Sequence, residues 1–222
     1  HLASLNSVAL KALNITAESP DPKGGIIRRL AGSTEPDGVL EEKAAYPAFY
    51  AANKFSPEQY EKLLRKSANY YASFGITTVQ DGASNPNDIV LLRKIAAAKP
   101  LPIDLSMYEY VSTAEQVEGA ITENNYHNGI KVSGVKFLID GSPQGRTAWL
   151  TKPYLKNGTE QAADYVAYPS IDADFYKSSV STLIKNKVQM ISHANGDAAI
   201  DLMLEALEEA TTGSDNSDHR AV

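Results

Sequence analysis

Lys136 stands inside the apolar run Gly134-Val-Lys-Phe-Leu-Ile-Asp140. Side chains alternate along a strand, so Val135, Phe137 and Ile139 share one face and Lys136, Leu138 and Asp140 the other. A lysine turned toward a protein interior is costly unless it is neutralised or paired. Three arrangements remove that cost. The amine can form a Schiff base with a carbonyl substrate, helped by a depressed pKa. It can take up CO2 as a carbamate, a carboxylate-like bridge between two metal ions. Or it can sit in a structural ion pair with Asp140 or a neighbour.

His193 closes the stretch Lys187-Val-Gln-Met-Ile-Ser-His193. Neutral imidazole is the commonest metal ligand and a common general base, although a histidine at a strand end often does no more than hydrogen-bond. An inward lysine on the preceding strand strengthens the ligand reading. Asn195-Gly196-Asp197 then turns the chain. Asp197 is expected to cap the next helix, within reach of supporting His193. The loop 140–150 (Asp-Gly-Ser-Pro-Gln-Gly-Arg-Thr-Ala-Trp-Leu) carries Ser142 and Arg146. Arg146 can hold a carboxylate with two hydrogen bonds or simply be solvated. Asp81, in Val-Gln-Asp-Gly, reads as a turn-former that can also orient groups at a site. His127 and His219 lie in polar stretches and read as surface residues, and His1 is left unassigned.

The elements that position these residues alternate. Ser56, Pro57 and Gln59 open a helix with a capping box, and Gly75 ends it. Strand-like Ile76-Thr-Thr-Val-Gln follows at once. Then come a helix over 87–98, a strand over 102–111, a helix over 113–123 and a strand over 132–140. After a loop of about thirty residues the pattern resumes with a helix over 172–186, a strand over 187–193 and a helix over 197–211. Strands alternating with amphipathic helices indicate βαβ units and a parallel sheet. Asp81, Glu109, Asp140 and His193 gather at strand ends, the ligand side of both barrels and open sheets. No Gly-x-Gly-x-x-Gly follows a strand, so the dinucleotide fingerprint is absent. Before this alternation, apolar spacing over 2–13 predicts a helix. Residues 17–55, rich in Gly, Pro and charge, predict a mostly irregular excursion.

The 222 residues are 43% hydrophobic and 22% charged, with a net charge of −6 that argues against a phosphate-binding surface. The absence of cysteine excludes a disulfide framework, a thiolate metal site and a thiol nucleophile. No apolar run is long enough to span a membrane, and no signal peptide opens the chain. Asn14-Ile-Thr16 and Asn157-Gly-Thr159 match the glycosylation sequon, a tripeptide that recurs by chance. Opening on His1 and closing on His-Arg-Ala-Val, the chain is expected to be an internal fragment of a longer protein, and its compartment stays unassigned.

The segments His1–Thr16, Asp21–Gly25, Pro36–Glu42, Phe74–Gly82, Gly134–Tyr154 and Ile191–Asp201, taken in order, resemble family 3 of the metal-dependent amidohydrolases, a branch that includes N-substituted formamide deformylases. The resemblance covers nearly the whole chain. It implies an α/β fold, a partial (β/α)8 TIM barrel of about strands two to five with their helices. Residues 1–55 would be an insertion between barrel strands one and two, and residues 56–222 the partial barrel. It implies a centre of one or two divalent metals, zinc first, that activates water against an amide-like C–N bond of a small molecule. Lys136 matches the family's carboxylated lysine and His193 its fifth-strand histidine. Arg146, Asp81 and Ser142 would then lie on the substrate side, with Asp140 and Asp197 behind the metal residues. The family's His-x-His pair does not occur here, and its sixth-strand histidine and eighth-strand aspartate have no counterparts. The expectations are therefore that this chain alone is inactive, leaves Lys136 unmodified and self-associates through exposed strand edges. A Schiff-base lyase using Lys136 and a non-catalytic binding module are the alternatives.

Overall fold

Residues 2–13 do not form the single helix that their spacing predicts. The computed structural model, which describes residues 1–155, 162–213 and 218–222, places a strand there, β1 (Leu2–Ser4), followed by a helix, α1 (Ser7–Ala12). Asn6 accounts for the break. Its side chain accepts the Ala9 N–H at 2.9 Å, fixing the helix start, and the residues before it are free to pair. They pair with a strand in the excursion that was expected to be irregular. β2 (Gly25–Arg29) and β3 (Pro36–Glu42) form an antiparallel sheet with β1, in the order β1-β3-β2. The apolar pairs Ile26-Ile27 and Val39-Leu40 are too short for alternation to show. Arg29 braces the preceding loop, donating to the carbonyls of Ser19 (2.6 Å) and Ala17 (3.3 Å). A 3-10 turn (Lys43–Ala45) and α2 (Tyr46–Ala52) follow. Ile27, Leu40, Ala44 and Ala45 form the buried core here, with Leu5, Ile15 and Phe49 packed against it.

Two compact units divide the chain. The first joins His1–Lys54, Leu138–Tyr176 and His193–Glu205; the second joins Phe55–Phe137, Lys177–Ser192 and Ala206–Val222. The second unit opens with α3 (Pro57–Ser73), where Ser56 and Gln59 make the expected capping box, worth about 1 kcal/mol. Gly75 takes φ +77 just past the helix, a conformation that glycine adopts without strain. The alternation then runs β4 (Thr78–Ser84), α4 (Pro86–Ala98), β5 (Asp104–Tyr110), α5 (Ala114–Glu118) and β6 (Ile130–Leu138). α6 (Ala173–Lys185), β7 (Met190–His193) and α7 (Asp197–Thr211) complete it. α5 is shorter than its sequence suggests, ending at Gly119.

The strand order is β4-β5-β6-β7, and the registers of β4 with β5 and of β5 with β6 are parallel. Sequential parallel neighbours with helical crossovers are the (β/α)8 barrel arrangement, here four strands of it. Leu105 and Met107 of β5 and Ile130 and Val132 of β6 meet Ile89, Leu92 and Ala96 of α4 and Ala68 of α3 in one core. A bulge then alters β6. Met107 pairs with Val132 but Tyr108 pairs with Gly134, leaving Ser133 as an extra residue. One extra residue shifts the side-chain phase by one. The buried set therefore passes from Ile130 and Val132 to Val135 and Phe137, and Lys136 falls on the opposite face. At the other end of the order, Val222 lies along β7, donating to Met190 O (3.1 Å) and accepting from Ser192 N (2.6 Å).

Candidate functional site

β7 ends on His193, and Ile139 N donates to His193 O at 3.0 Å. This bond sets Asp140 beside the turn that follows β7. Asp140 is 1% exposed. Its carboxylate accepts three backbone N–H groups, from Gly196 (2.7 Å), Trp149 (2.9 Å) and Asn195 (3.0 Å). It thus ties the 140–149 loop to the 193–197 turn. The approach is so close that a Cβ on Gly196 would lie 1.7 Å from Trp149 O.

His193 is held by this frame. Its Nε2 is 2.9 Å from Gly141 O and 3.0 Å from Asn195 Nδ2, while Asp140 Oδ1 is 3.8 Å away. Asn195 Nδ2 itself donates to Gly141 O at 2.9 Å. Nε2 either donates to the carbonyl or accepts from the amide, and both uses occupy it.

Two groups that the sequence reading did not single out complete the cluster. Glu42, at the end of β3, is 6% exposed. Its Oε1 accepts the Thr147 hydroxyl at 2.5 Å, and both its oxygens lie 3.0 Å from His1 Nδ1, which donates to them. The His1 and His193 rings are neighbours, their centroids 5.5 Å apart. Burial pushes the Glu42 carboxyl above its ordinary range, and the Thr147 hydrogen bond opposes that shift. Glu42 has φ 48 and ψ −121, strain of about 1–3 kcal/mol for a residue with a side chain. Its neighbour Glu41 is 1% exposed, ion-paired with Arg28 Nε and hydrogen-bonded by Tyr168 at 3.1 Å. Two adjacent carboxylates closing the strand-like run Gly-Val-Leu-Glu-Glu were the available signal. His1 had none, being joined to Glu42 across 41 positions.

The remaining candidates take more local roles. Ser142 is buried and its hydroxyl accepts from Gly145 N at 3.1 Å, stabilising the loop. Arg146 donates from Nη2 to Leu155 O at 2.9 Å and lies over the Tyr154 ring at 5.0 Å, while its Nε is buried without a partner among the described residues. Asp197 binds Thr151 through N–H (2.8 Å) and hydroxyl (2.5 Å). It is the first residue of α7 and not the cap expected, since Gly196 O accepts the first helical bond, from Ile200 N (3.0 Å), and within the helix the Asp197 carboxylate reaches only the adjacent Ala198 N (3.0 Å). Those Thr151 hydrogen bonds hold its carboxyl below the ordinary range. Asp81 and Lys136 belong to the second unit. Asp81 is exposed and accepts from Ala83 N at 3.2 Å, a turn-forming contact. Lys136 is partly buried on β6, and burial alone holds its ammonium pKa below that of an ordinary lysine. The Asn157-Gly-Thr159 sequon lies outside the described residues.

Zinc binds nitrogen and oxygen donors at about 2.0–2.2 Å. His1 Nδ1 and Glu42 are engaged with each other, and His193 Nε2 is engaged with Gly141 and Asn195. Among the described residues no three His, Asp or Glu side chains converge on one point. The residues of this chain therefore fit only a part of a metal site.

Four parallel strands with helical crossovers and polar groups at their ends define a portion of a (β/α)8 barrel enzyme fold. The fold matches a metal-dependent hydrolase of Pyrococcus horikoshii with a TM-score of 0.66 at 22% identity, over 96% of this chain and 41% of that one. The Amidohydrolase family matches residues 1–222, and the chain belongs to that family. It is 27% identical to the N-substituted formamide deformylase of Arthrobacter pascens, over 94% of this chain and 39% of that enzyme. It is 24% identical to Protein LONG AFTER FAR-RED 3 of Arabidopsis thaliana, over 99% of this chain and 39% of that protein. The chain thus spans about two-fifths of the length of these curated relatives.

Proposed function

We propose that this chain supplies part of the active site of a metal-dependent hydrolase that cleaves an amide-like C–N bond in a small molecule. The observation that carries this reading is the buried Asp140 carboxylate holding His193 at the adjoining ends of β6 and β7, in a chain of the amidohydrolase family. A divalent metal, zinc first for nitrogen and oxygen donors, would supply hydroxide at neutral pH when bound. In this reading His193 would be a ligand of the metal, and Lys136, as its carbamate, would be another. A half-buried amine with a lowered pKa suits that role, because the neutral amine is the form that reacts with CO2. Asp140 fixes the turn that carries His193, and Asp197 fixes the start of α7 behind it. Arg146, Ser142 and Asp81 are assigned to substrate in this reading. The 222 residues alone turn over no substrate.

The same lowered pKa of Lys136 also suits Schiff-base chemistry, so the test separates the two. Metal analysis of the full-length protein is expected to find a bound divalent ion. Hydrolysis of N-substituted formamides is expected to stop with a chelator and resume with zinc. His193→Ala is expected to lose both metal and activity. Borohydride trapping of a carbonyl compound on Lys136, in a metal-free active protein, would overturn the hydrolase reading.

A further inference from the structure

Glu42 combines three features that a purely structural residue does not need together. It is a carboxylate 6% exposed to solvent. It holds a left-handed φ of 48 without being glycine. And the chain around it is shaped to admit its carboxylate, since a Cβ on Gly141 would lie 2.3 Å from Glu42 Oε1 and 2.2 Å from Thr147 Oγ1. Gly141 is also the residue whose carbonyl engages His193 Nε2.

We propose that Glu42 is a positioning residue of the hydrolytic site: its carboxylate fixes the His1 imidazole on one side and, through Thr147 and Gly141, the His193 imidazole on the other. The inference rests on the hydrolase reading for what the site does, and on geometry for how Glu42 acts. An ionised carboxylate only accepts hydrogen bonds. Paired with Glu42, His1 carries its proton on Nδ1 and leaves Nε2 as an acceptor. A carboxylate behind an imidazole sets tautomer and ring orientation in this way. On the other side, the Thr147 hydroxyl donates to Glu42 and accepts from Ser142 N at 3.0 Å. Thr147 O accepts from Gly141 N at 3.1 Å. The turn that presents the Gly141 carbonyl is thereby anchored on β3. Glu42 itself is joined to the chain start by a bond from its N–H to His1 O at 2.6 Å.

The test uses the full-length protein. Glu42→Ala is expected to lower kcat about 10–100-fold, the usual effect of removing a group behind a site residue, with KM little changed. Glu42→Gln keeps one acceptor oxygen for Thr147 and is expected to retain more activity. Thr147→Val is expected to act through the same link, so the double variant Glu42→Ala/Thr147→Val is no worse than the weaker single one. Unfolding midpoints and bound metal are followed in parallel. An unchanged kcat in Glu42→Ala, additive single effects, or complete loss of metal from Glu42→Gln would overturn the proposal, the last by making Glu42 a ligand. Nitrogen-15 NMR of the histidine rings gives a readout independent of turnover. His1 is expected as the Nδ1–H tautomer in the parent and as mainly Nε2–H in Glu42→Ala. An unchanged tautomer overturns the positioning role even in an active enzyme. A shifted tautomer in a protein without metal or hydrolysis supports the positioning of His1 while removing the hydrolase reading.

Discussion

Asp140 binds three backbone N–H groups from two separate turns. Asp140→Ala would take this acceptor from the amides of Trp149, Asn195 and Gly196, the first two in part-buried bonds and the last in a buried one. A loss of about 3–5 kcal/mol is expected, read as a lower denaturant midpoint, because hydrogen bonds to a charged acceptor are the costly ones to delete. Tyr165 gives a pH signature. Burial first, then the negative charge of Glu41, push its phenol from 10.0 to about 12. The folded chain keeps this proton where the unfolded chain has lost it. Its stabilisation is therefore complete below pH 10 and falls away as the pH rises to about 12. Unfolding free energy should drop more steeply over that window in the parent than in Tyr165→Phe; equal slopes would refute it. At this scale the sequence exposed Lys136, Asp140 and His193, because each breaks or ends an apolar strand. It hid Glu42 and His1, whose partnership exists only once β1 and β3 are paired.

Elements were legible where the local signals agreed. The capping box at Ser56, the glycine stop at Gly75 and the alternation of helix and strand from 56 onward all point to the fold that forms. The N-terminal sheet was obscured because its strands are short and its order, β1-β3-β2, depends on pairing across a loop. The bulge at Ser133 was also invisible, since register is a relation between two strands and not a property of one. Alternation counted from 134 onward still placed Lys136 correctly, because the count began after the extra residue. β6 makes a second demand at Gly134, where a Cβ would lie 1.9 Å from Gln189 O of the adjoining segment. Gly134→Ala must push β6 and β7 apart. A loss of about 3 kcal/mol or more is expected in chemical unfolding, beyond ordinary overpacking because the obstacle is backbone. A fully tolerated substitution would mean that the two strands approach less closely.

The molecule as a whole leaves apolar surface uncovered. Tyr70 and Phe74, at and just past the end of α3, are 64% and 66% exposed, and Leu63 and Ile76 are exposed with them. β4 ends the strand order and is itself mostly exposed. A strand at the end of a sheet and exposed apolar side chains each favour association. The 222-residue chain is therefore expected to show a concentration-dependent mass above its 24.0 kDa in light scattering. A compact monomer at high concentration would show that expectation wrong. The first unit has a different character. It draws His1 and Glu42, then Asp140 and Thr147, then His193 and Asn195, from three stretches far apart in sequence. The hydrogen bond from Thr147 to Glu42 alone spans 105 positions. Contacts of such range form slowly and late. During synthesis the histidines at 1 and 193 are strangers until residue 193 has emerged. The cluster thus works as a completion mark for the first unit: until its three stretches have met, the unit holds the pieces of the cluster without the cluster itself.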